Sequence, residues 1–87
     1  MTGRWLLSAP NAPSCGLEFG GAAGARAGAI SPDGGCPANF YTSRRWAMDG
    51  SVLTIADDEN QPLAQLRPAG ARFEGQSISG VPVTLAR

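Results

Sequence analysis

Glycine or proline interrupts this chain roughly every eight to twelve residues, and no window of eleven or more residues carries a clean helical apolar stripe. Such punctuation leaves room for short strands and tight turns, the pattern of an all-β domain. The clearest element is RRWAMDGSVLTIADD, residues 44–58. Trp46 and Met48 alternate before Asp49-Gly50, and Leu53 and Ile55 alternate after it. Asp-Gly tolerates the positive φ angles of a type I′ turn, so the segment reads as a tight hairpin.

Strands are expected on either side of it. GRWLLS places Trp5 and Leu7 on one face, and CGLEF does the same for Cys15, Leu17 and Phe19. GARAGAI, residues 24–30, is a weaker strand with few side chains to pack, and CPANFYTS suits one helical turn. Beyond the hairpin come the polar turn DDENQP, a strand LAQLRP ended by Pro68, a strand around Phe73, and a last one with Val81, Val83 and Leu85 on one face. Proline within that last strand points to an edge or rim. Eight short strands, each followed locally by the next, suggest an eight-stranded antiparallel up-and-down β-barrel, which leaves no edge exposed.

Eighty-seven residues make a single domain spanning 1–87, with a core thin enough to need a staple. The two cysteines, Cys15 and Cys36, stand in a chain without histidine. A zinc site wants four ligands at short spacing, a redox pair wants C-x-x-C, and a catalytic thiol wants an activating histidine. None of these is present. A structural disulfide remains, beside the plainer alternative of two unlinked buried thiols. A bridge implies an oxidising compartment. The opening MTGRWLLSAP has only a three-residue apolar run, too short for a signal-peptide core. The chain is therefore expected to be a domain of a longer exported precursor.

Other chemistry is thin. The formal net charge is zero, and the seven basic residues are scattered arginines, so no nucleic-acid partner is expected. No catalytic set is found, since a Ser-His or Cys-His pair is impossible and most of the seven carboxylates fall in expected turns. Asp57 to Asn60 lacks the spacing of an EF-hand and reads as a solvated turn. GGAAGARAG lacks the G-K-[ST] ending of a phosphate loop. Trp5 and Trp46 read as core anchors that leave a small barrel little room for a ligand. No cofactor and no metal is expected. From residues alone, this is a stapled, exported β domain that binds or supports rather than reacts.

The order GRWLLS, SCGLEF, GGCP, RRWAMDGSVLTIADDENQPLAQL and RFEGQSISGVPVTLAR resembles the alkaline proteinase inhibitor family. That family contains periplasmic inhibitors of secreted zinc metalloproteases and a related branch of outer-membrane lipoproteins, which the closing segment resembles more. The resemblance implies an eight-stranded barrel with Cys15 and Cys36 bridged. It gives structural places to Trp5 on the first strand and to Trp46, Asp49, Gly50 and Leu53 on the central hairpin. It implies a protease partner, a monomer, and a periplasmic or outer-membrane location in a Gram-negative bacterium, with a lipid anchor upstream as one mode of attachment. In periplasmic members an arm ahead of the first tryptophan enters the protease cleft. Here Met1, Thr2, Gly3 and Arg4 precede Trp5 and are the expected remnant of that contact. A non-inhibitory lipoprotein head is the alternative.

Overall fold

The computed structural model describes residues 2–22, 24–33, 36 and 40–87. Its strands are β1 (Gly3–Ser8), β2 (Cys15–Phe19), β3 (Ala27–Asp33), β4 (Arg45–Asp49), β5 (Val52–Ala56), β6 (Pro62–Ala69), β7 (Arg72–Ser77) and β8 (Pro82–Ala86). Each pairs antiparallel with the next, and β8 returns to β1 to close an eight-stranded barrel. A 3-10 turn, Phe40–Thr42, lies between β3 and β4.

The alternation read from sequence fills the interior. Trp5 and Leu7 of β1, Leu17 and Phe19 of β2, Trp46 of β4, Leu53 and Ile55 of β5, Leu66 of β6, and Val83 and Leu85 of β8 are all buried. The aromatic rings form one chain of contacts. Trp5 meets Phe19 and Phe73 edge-on with centroids 6.5 and 5.7 Å apart, and Phe19 lies 5.9 Å from Trp46. Pairs at these distances add to the burial of their large apolar surfaces.

Three sequence expectations shift. The third strand runs over Ala27–Asp33, not residues 24–30. Gly24 takes a positive φ of 80°, and the Ala25 amide closes a turn onto the Ala22 carbonyl, so extended backbone starts later. Pairing with β2 then carries the strand through Pro32, opposite Leu17. The Ile30 amide donates toward the β4 side, to the Arg44 carbonyl. Two residues on, Pro32 faces the same way, past the end of the β3–β4 ladder at Ala29 and Arg45, so its missing N–H removes no bond there. Pro68 likewise does not end its strand, because β5 pairs with β6 only as far as Leu66. In the central hairpin Asp49 pairs with Val52, which makes Gly50-Ser51 the two-residue loop. Gly50 has φ 63° and Ser51 is not left-handed, the II′ pattern with glycine first rather than I′.

Gly75 marks a place where the wall leaves no room for a side chain. It pairs with Leu66, and an added Cβ would run into the Gln65 carbonyl oxygen and the Leu66 Cα, both backbone. Gly75→Ala is expected to cost about 1–3 kcal/mol, the range for forcing an extra carbon into a packed site. Urea denaturation followed by circular dichroism measures it, and an unchanged midpoint would show that the two strands can part without penalty.

Candidate functional site

Up-and-down topology sorts the connections onto two rims. The N-terminal rim gathers Thr2, the β2–β3 link, the Gly50-Ser51 loop, the β6–β7 turn at Gly70-Ala71, and Arg87. The opposite rim carries the β1–β2 loop, Cys36 with the 3-10 turn, the Asp57–Gln61 loop and the β7–β8 turn. Cys15 and Cys36 are bonded there, with Cα atoms 5.2 Å apart, so the bridge fixes the rim farthest from the chain's entry. Charge divides the same way. The half of the barrel at the N-terminal rim carries Arg4, Arg26, Arg67, Arg72 and Arg87 with Glu18, Asp49 and Glu74, while the opposite half carries Asp33, Asp57, Asp58 and Glu59 with Arg44 and Arg45. A chain neutral overall is thus basic at one end and acidic at the other.

The N-terminal rim is braced by arginines. Arg26 Nη2 donates to the Gly50 carbonyl at 3.0 Å, and the Met48 amide donates to the Arg26 carbonyl at 2.7 Å, tying the β2–β3 link to the central hairpin. Trp46 Nε1 donates to the Gly20 carbonyl at 2.9 Å, holding the start of the same link. Arg87 Nη2 donates to the Thr2 carbonyl at 3.1 Å, and its guanidinium carbon sits 5.1 Å from the centre of the Trp5 ring.

The residues read from sequence as an arm remnant are placed as follows. Gly3 and Arg4 are strand residues, paired with Phe19 and Glu18. Arg4 Nη2 reaches Asp33 Oδ2 at 3.0 Å across Gly16, whose absent Cβ leaves the guanidinium room. Both side chains of that pair are more than half exposed, so it contributes at most about 1 kcal/mol. Thr2 is held by Arg87, and Met1 lies outside the described residues. Of the hairpin positions, Trp46 and Leu53 face the core and Asp49 is exposed at the strand end before the Gly50 loop. Arg87 was missed by sequence reading. Its partner Trp5 lies at the far end of the chain, and no local pattern signals a contact over 82 positions.

Asp57 Oδ1 accepts from the Glu59 and Gln61 amides at 3.0 and 2.8 Å, so its carboxylate closes the turn that it starts. Glu74 takes Arg72 Nε at 2.7 Å. Among the described residues no three His, Cys, Asp or Glu side chains cluster as a metal site would require.

A family model described as "Protease inhibitor Inh" matches residues 1–87. The chain belongs to the Inh protease-inhibitor family. Among curated proteins, an Outer membrane lipoprotein omp19 homolog of Mesorhizobium japonicum is 37% identical over 71 residues, covering 80% of this chain and 36% of that protein. A homolog of the same name from Rhizobium meliloti is 30% identical over 88 residues, covering 100% of this chain and 48% of its own length. Outer membrane lipoprotein omp19 of Brucella melitensis is 36% identical over 53 residues, 60% of this chain and 30% of the protein. The chain thus spans less than half the length of these relatives. They are outer-membrane proteins of Gram-negative bacteria, in agreement with the envelope location expected from sequence.

Proposed function

We propose that this chain is one folded domain of a longer envelope protein, and that it inhibits a secreted zinc metalloprotease by seating its N-terminal rim on the protease. The observation that carries the reading is the inhibitor-family match over the whole chain. The geometry supports the rim. Strand β1 begins there, so Thr2, Gly3, Arg4 and any residue ahead of them stand at the contact, and the bracing arginines stiffen the backbone around it. A rigid surface loses little conformational freedom on docking. Its basic character suits a partner surface of opposite sign. The domain acts as a monomer, without enzymatic activity of its own, in the periplasm or at the outer membrane. A lipid anchor upstream of the barrel is the proposed attachment, by likeness to the lipoprotein relatives.

The test mixes this chain, and separately its full-length form, with a secreted zinc metalloprotease and with a serine protease. Cleavage of a protein substrate by the metalloprotease is expected to slow at stoichiometric inhibitor, with the full-length form at least as effective. Slowing of the serine protease alone would move the target class. Absence of any effect from either form would leave the second reading, a non-inhibitory lipoprotein head, which the names of the relatives favour.

A further inference from the structure

The ladder between β1 and β8 is short. It joins Leu6, Leu7 and Ser8 to Ala86, Leu85 and Thr84, and stops there. On its other side β1 pairs with β2 along Gly3 to Leu7. Among the described residues, Gly3, Arg4 and Trp5 therefore run past β8 with no strand partner on that flank. Without another restraint, a segment laddered on one side frays from its end.

The side chain of Arg87 occupies that flank. Three observations place it. Its Nη2 donates to the Thr2 carbonyl at 3.1 Å. Its guanidinium lies over the Trp5 ring, 5.1 Å from the centroid, where the ring's negative face attracts a cation. Gly3 holds φ 100°, and a Cβ there would press on Arg87 Nη2, so glycine both allows the backbone bend and leaves the seat open. The side chain thus gives the open flank a bond at Thr2, four residues outward from Leu6, where the ladder ends.

We infer that Arg87 is a positioning residue for docking. It fixes the direction in which the backbone leaves the barrel at Thr2, and so the path of whatever precedes Gly3 across the N-terminal rim. The inference rests on the inhibitory reading for its purpose, but the clamp stands on contacts within the chain. Arginine suits the role because its planar group can donate forward and stack on the indole together, which a lysine ammonium does less well.

The experiment compares wild type, Arg87→Ala and Arg87→Lys. Amide hydrogen exchange by NMR reads the clamp, and inhibition of the metalloprotease by the full-length protein reads its consequence. In Arg87→Ala, exchange at Gly3 and Trp5, whose amides face β2, is expected to speed up about tenfold, while Leu7 and Ser8, farther into the barrel, stay protected. Inhibition is expected to weaken by about tenfold, with Arg87→Lys restoring part of both. A barrel whose Leu7 and Ser8 amides also lose protection has unfolded generally, and that result overturns the local role. Unchanged exchange at Gly3 and Trp5 overturns the clamp. Faster exchange with unchanged inhibition overturns its part in docking. A wild-type protein that inhibits neither protease removes the inhibitory reading and the docking role with it, and the exchange data then decide the clamp alone.

Discussion

Trp46→Ala is expected to lower the unfolding free energy by about 3–5 kcal/mol, the usual cost of emptying a buried tryptophan site. The side chain is only 2% exposed and packs against Phe19. Collapse cannot refill the space, because the neighbouring β3 position is Gly28. A Cβ there would strike the Gly20 carbonyl oxygen and crowd the Trp46 indole nitrogen, so the facing wall is bare backbone with nothing to swing in. The substitution also strips the Gly20 carbonyl of its donor and frees the start of the β2–β3 link. Domains of this length have roughly 4–13 kcal/mol in hand, so the variant loses a large share of its stability. Trp46→Phe keeps most of the apolar volume and removes the N–H, for an expected loss of about 1–2 kcal/mol. Urea denaturation followed by circular dichroism separates the two. If Trp46→Ala costs no more than Trp46→Phe, the indole is not filling the barrel and the packing described above is wrong.

Trp46 was legible because the signal for it is local. A tryptophan and a methionine alternate into a glycine-bearing turn, and two aliphatic residues alternate out of it, so one short segment carries face, register and direction together. The same holds for Cys15, Leu17 and Phe19. What sequence missed depends on partners. The third strand, AGAISPD, has Ile30 as its one large apolar side chain, and its bounds come from lying opposite Gly16 to Phe19 rather than from alternation of its own. Pro32 reads as a stop by any local rule. It is tolerated because β4 starts too late to need its amide, a fact about a different segment. The loop shift from Asp49-Gly50 to Gly50-Ser51 has the same origin, since either placement fits the alternation until cross-strand register decides.

At the candidate site the limit is sharper. The residues ahead of Trp5 could be named from a family resemblance, but their surroundings could not. Arg87 reaches Thr2 and Trp5 only because β8 closes on β1, and closure is a property of the whole sheet. The glycine-rich stretch, which lacks the ending of a phosphate loop, supplies the link between β2 and β3 and the start of β3. Gly28 is small for Trp46, and Gly21 and Gly24 turn the link between two strands.

Loss of the Cys15–Cys36 bond is expected to cost about 3 kcal/mol, from the loop that it closes across 21 positions. In a domain this small that corresponds to a fall in melting temperature of roughly 12–24 °C. Much of the effect should come from the unfolded chain, which regains the freedom of the 15–36 loop. Some should come from the native state, because the bond is what joins Cys36 to the rim farthest from the N-terminal contacts, and both cysteines are buried. That placement makes a specific pattern. The double variant Cys15→Ser, Cys36→Ser, held at a temperature where it is still folded, should lose amide protection first around β3 and the 3-10 turn. Gly3 and Trp5 should keep theirs, since Arg87 and β2 restrain them independently. Reductant on the wild type should reproduce the melting shift and none on the variant. A reduced protein that melts with the oxidised one would mean the barrel closes on its apolar interior alone, and that the staple inferred from two cysteines in a thin-cored chain is dispensable.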